Sequence, residues 1–511
     1  MSNSGWPKSS PQRVAKALDA HSIIALALGG LIYILAVTGT LSVFNHEFQR
    51  WEQPAVSEMN SISPQAAAAA ARTVFESEDL PTTHLFINFP QPDLPRTVIT
   101  TDTQAFFANS DGTIGPRENF PWTKFLLDLH YYLHLPQILG LTVVGALGAF
   151  LIAMSISGFM AHPRIFRDAF TFRRGAGRVP MTDLHNRLSV WTAPFHISNA
   201  LTGAVLGLAS VLAFTVASVS FFGDIDRVFD PVFGAEPASI EGAAQLAEIA
   251  APVTHMQENH PDLLPTFFIL HDPGTAGQHS TIVAEHSDRL IFGEYYNFDA
   301  AEIYQGNVGI SDGTIGQQII GSVYNIHFGN WGGLSVKLAY LVFGLTLSVI
   351  IASGMRIYFI RRREKGRDAP RLEAGWEALV WGTPAVLAFT LFASVSGFST
   401  GIGLVVVFWI GLLVVIAIAF SIGDVTSVRT FLQRSVILLL FGSVLTHAMT
   451  FSDSLLSMAT VQVSLSLIAM ALFLSFLNFR MRHRIKANTG MHSNQGTTSV
   501  DLNRSRVNPT D

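Results

Sequence analysis

Eight apolar stretches constrain this 511-residue chain more than any other feature. They lie at about 22–44, 137–160, 188–221, 333–359, 378–397, 402–422, 432–451 and 455–479. Each is long enough to cross about 30 Å of hydrocarbon as a helix. With no water to satisfy its polar groups there, a chain must bond its own backbone, as a helix does. The expected fold is a polytopic α-helical membrane protein with about eight transmembrane helices. The third stretch exceeds what a bilayer requires, so it tilts or projects. Composition agrees, with 49% hydrophobic and only 14% charged residues.

Basic residues orient the helices. Arg164, Arg167, Arg173, Arg174 and Arg178 lie between the second and third stretches, and Arg356, Arg361, Arg362, Arg363, Lys365 and Arg367 at the end of the fourth. Arg480, Arg482, Arg484 and Lys486 follow the eighth, and Lys8, Arg13 and Lys16 precede the first. Alternating helices put all of them on one side, so both termini are expected in the cytoplasm. No small-residue cleavage pattern follows the first stretch, which reads as a retained helix.

The long loops then lie outside. Residues 45–129 hold five Lys/Arg against eleven Asp/Glu, and residues 223–326 hold two against fifteen. That bias argues against a nucleic-acid partner, since little there could neutralise phosphates; membrane lipid is the expected surrounding. Cysteine is absent, which excludes disulfides, Cys-held iron–sulfur clusters and thiolate-ligated haem.

The first two thirds of the chain look duplicated. His21 is followed seventeen and eighteen residues later by Thr38-Gly39, and His185 at the same offsets by Thr202-Gly203. The hexapeptide Ser110-Asp-Gly-Thr-Ile-Gly115 recurs as Ser311-Asp-Gly-Thr-Ile-Gly316. Each copy leads to a histidine, His130 or His327, before apolar runs that carry Ser157-Gly158 and Ser353-Gly354. The expected order is a leader (1–20), a first helix (21–44), a first outer domain (45–129), a second helix (130–160), a basic loop (161–184), a third helix (185–222), a second outer domain (223–326), a fourth helix (327–360), a basic loop (361–377), four further helices (378–480) and a polar, disordered tail (481–511). Each outer domain reads as a small α+β module. The first has a helix from Pro64 and strands at 84–89, 96–101 and 104–108. The second has a helix over 240–259 and strands at 266–270, 280–284 and 289–292. Ser110-Asp-Gly112 and Ser311-Asp-Gly313 are the matching turns.

A two-fold axis along the membrane normal brings repeat-related positions to one depth. His21 is then expected to face His185 on the cytoplasmic side, and His130 to face His327 on the outer side. Two facing imidazoles make the clamp that a b-type haem needs, and imidazole suits iron. Two haems b follow, with these four histidines as axial ligands. Histidines at helix ends also suit the interface singly; their recurrence in related pairs is what favours a cofactor. A Zn²⁺ site is the weaker alternative, since no third or fourth ligand repeats. His196, about eleven residues deeper than His185, and His134, one turn beyond His130, are reserve ligands. Lys337 and Arg187 are candidate partners for haem propionates. His255, His260, His271, His279 and His286 crowd the second outer domain with spacings that match no standard metal motif, and read as solvated surface.

Asp128-Leu-His130, Asp183-Leu-His185-Asn-Arg-Leu and Ile326-His327-Phe-Gly-Asn-Trp-Gly-Gly-Leu334, with basic runs after the second and fourth helices, resemble the PepSY-associated transmembrane helix family. The resemblance covers residues 10–365. It implies a bacterial inner-membrane, iron-regulated protein with PepSY-like outer domains. Some members are di-haem siderophore reductases, whose motif histidines match His21, His130, His185 and His327. On that reading the chain is a ferric-chelate reductase that passes electrons outward to a ferric siderophore. No phosphate-binding Gly fingerprint follows an expected strand, so the donor would be a quinol or a separate reductase. Two other functions stay open: a membrane-anchored regulator that binds a peptide or protease, and a metal-chelate transporter component.

Overall fold

The structure is a computed structural model that describes residues 10–498 other than 80, 174, 176, 235–236, 238–239, 241, 287–288, 292 and 399–400. The chain divides into two compact units, residues 1–369 with 400–405 and residues 370–399 with 406–511.

In the first unit α1 (Pro11–Ser42) starts where Ser10 accepts the Arg13 N–H and Pro11 occupies the first turn. Pro suits that position because its missing N–H would go unbonded anyway. After α2 (Asn45–Glu52), α3 (Pro64–Glu76) begins in the same way, with Ser63 accepting the Ala66 N–H. Strands β1 (His84–Asn88), β2 (Thr97–Thr100), β3 (Ala105–Ala108) and β4 (Ile114–Arg117) follow. Then come α4 (Pro121–Tyr132), α5 (Gln137–Ala161), α6 (Ile165–Asp168), α7 (Arg178–Trp191), α8 (Ala193–Ser220), α9 (Asp226–Phe233) and α10 (Ala250–Asn259). Strands β5 (Leu263–His271), β6 (His279–His286), β7 (Glu294–Phe298) and β8 (Tyr304–Val308) precede α11 (Ile315–Phe328) and α12 (Gly333–Glu364).

The eight strands form one antiparallel sheet in the order β4-β3-β2-β1-β5-β6-β7-β8. The two expected modules are therefore joined, because β1 pairs with β5 across the seam in a register that sets His84 opposite His271 and Ile87 opposite Phe268. Alternation along each strand sends Leu85, Ile87, Phe268, Leu270 and Ile282 to one face, where they pack on the alanine face of α3 and on Val253 and Met256 of α10. Each such side chain contributes about 1.5–3 kcal/mol by leaving water. The second module departs from expectation. Its helix spans only 250–259, residues 289–291 carry no strand while 292 lies outside the described residues, and β7 and β8 complete the sheet instead.

Four helices of the first unit, α1, α5, α8 and α12, are long and apolar enough to cross a membrane. Helix α1 packs against α5 and α12, and α8 against α5. A Cβ on Gly207 of α8 would lie 2.7 Å from the Gly145 Cα of α5, so these backbones meet glycine to glycine, the close approach that small residues permit in membranes. The third apolar stretch is not one long helix. Thr192 leaves helical geometry, and Pro194 in the first turn of α8 separates α7 from it. The second unit holds α13 (Pro370–Val395), most of α14 (Ile402–Ile422), α15 (Val425–Thr450) and α16 (Met458–Thr498). Each of these four also contains a segment fit to cross a membrane, α16 over Met458–Arg480. Within this unit the buried Glu377 carboxylate accepts a fork from Arg429, with Nε 2.9 Å from Oε2. Helix α16 continues past the expected boundary at 480, and residues 499–511 of the expected tail lie outside the described residues.

Candidate cofactor site

At the end of the bundle remote from the sheet, His21 of α1 faces His185 of α7. Their ring centres are 6.4 Å apart and their planes 81° apart. The His21 Nδ1–H donates to the Met154 carbonyl at 2.9 Å. The His185 Nδ1–H donates to the Ile350 carbonyl at 3.0 Å and lies 3.1 Å from Ser353 Oγ. Met154 and Ile350 each stand three residues before the serine of the repeated Ser-Gly pair. That pair's glycine lies under the ring: a Cβ on Gly158 would be 3.4 Å from His21 Cε1, and one on Gly354 would be 3.2 Å from His185 Cε1.

At the sheet end, His130 of α4 faces His327 of α11 with ring centres 6.2 Å apart and planes 19° apart. Here Thr-Gly takes the place of Ser-Gly. His130 Nδ1 is 3.3 Å from Thr38 Oγ1, and His327 Nδ1 is 3.1 Å from Thr202 Oγ1. Each hydroxyl donates its own proton to the carbonyl four residues back, Ile34 or Ser198. Its oxygen can then only accept from the ring, which puts the imidazole proton on Nδ1. All four histidines thus carry Nδ1–H against a fixed acceptor and leave the Nε2 lone pair free, the outer-shell arrangement of metal-bound histidines. A Cβ on Gly39 would stand 2.6 Å from His130 Cε1, and one on Gly203 would stand 2.8 Å from His327 Cε1. The repeated glycines seat the imidazoles themselves.

Local structure holds α4 in place. Arg50 of α2 grips Glu58 at 2.7 and 3.0 Å, and buried Arg96 donates to the Gln53 carbonyl at 2.9 Å. Glu52, the last residue of α2, accepts the first N–H groups of α4, those of Trp122 at 2.8 Å and Thr123 at 2.9 Å. Burial pushes the Glu52 carboxyl up to about 7, against the pull of these hydrogen bonds. Helix α4 ends where Leu133 and His134 turn to positive φ.

The spacing of both pairs fits one ion. A metal–imidazole bond of about 2.0 Å, with the bonding nitrogen about 1.1 Å from the ring centre, sets two ring centres about 6.2 Å apart across a single metal. Around the sheet-end pair a largely apolar cavity of about 300 Å³ opens, lined by Gly39, Tyr131, Phe195, Gly203, Tyr340 and Leu347 among others. That is at the lower end of the range for cofactor sites. The seventeen helical residues from His21 to Thr38 put the two pairs about 26 Å apart along α1.

The remaining candidates take other roles. His196 lines the cavity, with Nδ1 3.3 Å from Thr192 Oγ1. His134 does not share the helical face of His130; beyond the end of α4 its Nε2–H donates to the Phe125 carbonyl at 2.9 Å. Lys337 is committed to carboxylates, Glu47 at 2.7 Å and Asp93 at 3.0 Å, and so is not a free partner for a propionate. His46 Nδ1 lies 3.0 Å from Asp93. Burial raises the Asp93 carboxyl, but His46 and Lys337 outweigh it and hold the group well below the usual range. Arg187 rests over Trp191, 4.3 Å from the ring centre, and near Phe172. This carboxylate cluster was missed because Glu47, Asp93 and Lys337 lie in three different sequence segments.

Among the described residues, eight helices fit to span a membrane, four of them arranged around repeated histidine pairs, define a multi-pass helical membrane protein. The sequence matches the PepSY-associated TM region over residues 18–362, and the chain belongs to that family. The match takes in all four paired histidines and ends before the second unit. The chain is also similar to an uncharacterized protein of Pseudomonas aeruginosa, 31% identical over 123 residues, which is 24% of this chain and 31% of that relative's length.

Proposed function

We propose that this protein carries electrons across a bacterial inner membrane through two bound haems b, both termini lying in the cytoplasm, and reduces a ferric chelate such as a siderophore on the outer side. The observation that carries the reading is the spacing of the two imidazole pairs, 6.4 and 6.2 Å between ring centres, with every Nδ1 anchored. Each haem, when bound, supplies a one-electron Fe(III)/Fe(II) couple. His21 and His185 would hold the cytoplasmic one, and His130 and His327 the outer one.

The chain's own contribution is orientation and exclusion of water. Carbonyls of Met154 and Ile350, and hydroxyls of Thr38 and Thr202, fix the tautomer and raise the basicity of each Nε2. The apolar cavity walls keep water from the outer site. A ferric chelate gains one electron there, and the ferrous ion leaves a chelator built for the harder ion; a quinol or a separate reductase supplies the electron. Rapid mixing tests the reading. The dithionite-reduced protein should show a low-spin b-type α band that a ferric siderophore bleaches. A reduced protein whose α band persists in excess ferric chelate contradicts the substrate, and a colourless protein contradicts the cofactor.

A further inference from the structure

Three histidines stand side by side across the seam of the sheet, on the face that turns away from α3 and α10. His84 starts β1, His271 ends β5 and His279 starts β6, in direct register: His84 opposite His271, and His271 opposite His279. Ring centres are 5.1 Å apart for the first pair and 4.5 Å for the second, the latter stacked to within 3°. All three are half-buried. We propose that His84, His271 and His279 form a binding site for a divalent first-row transition ion of the Zn²⁺ or Cu²⁺ class, separate from the paired histidines among the membrane helices.

The protonation pattern supports metal binding. Thr83 Oγ1 donates to Asp102 Oδ2 at 3.0 Å, so at 2.8 Å from His84 Nδ1 its oxygen accepts the ring proton. His279 Nδ1–H donates to the Gly277 carbonyl at 3.2 Å. Both rings are thereby left with a free Nε2 lone pair, and the Asp102–Thr83–His84 chain is the kind of outer shell that orients a ligating imidazole. His271, between them, has neither nitrogen hydrogen-bonded among the described residues.

His271 and His279 lie flat on one another, His84 meets His271 edge-on at 71°, and the three rings do not converge on a point. Strands are about 4.8 Å apart, so the outer two imidazoles reach an ion above the central strand by turning about their side-chain torsions on a fixed backbone. Three nitrogen ligands leave one position of a tetrahedral Zn²⁺ open. Imidazole also suits Cu²⁺, which heads the affinity series. The site straddles the two halves, which is why His84 escaped the sequence reading while His271 and His279 read as surface. It does not depend on the haem assignment.

Equilibrium dialysis of the full-length, tag-free protein in detergent against Zn²⁺ tests the site. Wild type should bind one equivalent more than His271→Gln. His84→Gln and His279→Gln should each weaken that equivalent at least tenfold, and His286→Gln should leave it unchanged. Thr83→Val, which removes only the outer-shell acceptor, should weaken it about 10- to 100-fold. Cu²⁺ added to wild type should give an electron paramagnetic resonance signal split by imidazole nitrogens that His271→Gln lacks. Equal Zn²⁺ uptake and affinity in wild type and His271→Gln would overturn the proposal, as would Thr83→Val binding like wild type or a Cu²⁺ signal identical in both proteins.

Discussion

Alanine at the four repeated glycines should produce a graded loss of cofactor. A Cβ on Gly39 would meet His130 Cε1 at 2.6 Å, where ordinary contact begins at 3.4 Å, so the ring must retreat by about 0.8 Å. Gly203→Ala asks about 0.6 Å of His327, Gly354→Ala about 0.2 Å of His185, and Gly158→Ala none of His21. A metal site tolerates about 0.5 Å of displacement. Gly39→Ala and Gly203→Ala should therefore lose or distort the haem at the sheet end and spare the other, whereas Gly158→Ala and Gly354→Ala should keep both. Alanine is a better helix former than glycine by about 0.5–1 kcal/mol, so the substitution does not by itself weaken the helices. The assay is the reduced-minus-oxidised spectrum per mole of chain. Equal spectra from Gly39→Ala and Gly158→Ala would refute the reasoning, because a Cβ at Gly39 stands about 0.8 Å closer to its ring than one at Gly158 does.

Other outcomes rest on the same geometry. Thr38→Val and Thr202→Val remove an Nδ1 acceptor without changing shape, and should weaken haem retention at the sheet-end site about 10- to 100-fold, measured by haem transfer to apomyoglobin. Lys337→Met leaves Glu47 and Asp93 without their shared cation and should destabilise the first unit by about 3–5 kcal/mol, read as a lower thermal midpoint. Burial first, and then Asp93, raise the Glu285 carboxyl to about 7. Its protonated form therefore favours the fold fully below pH 4.5, an advantage lost as pH rises through 7. The shift bounds the effect near 3 kcal/mol, and partial exposure reduces it to about 1–2 kcal/mol. Glu285→Gln should raise the thermal midpoint at pH 8 and leave it unchanged at pH 4; a parallel change at both would count against the account.

The membrane helices were legible because hydrocarbon demands long apolar runs, and each of the eight expected stretches overlaps a helix fit to span a membrane, the third one only from Ala193 onward. Local sequence was a poorer guide elsewhere. The identical hexapeptides at Ser110 and Ser311 end differently: Ile114 starts a strand, whereas Ile315 starts a helix. The residue just beyond each hexapeptide decides the outcome. Gln317 completes a capping box with Thr314, while Pro116 at the matching position has no side chain to return that bond. The single sheet was hidden because pairing of β1 with β5 is a contact between residues about 180 positions apart. Nothing in the spacing of the repeated glycines shows that a histidine ring rests on each. The break at Thr192 was foreshadowed by Pro194, where the first copy has Gly30 and α1 runs on.

The most direct test is haem stoichiometry in wild type and in His185→Ala and His327→Ala, with both absorbance bands recorded. The account predicts two low-spin haems b per chain in wild type, one in each single variant with a different one missing, and none in the double variant. A wild type with fewer than two haems, or a single variant that loses both or neither, would contradict it.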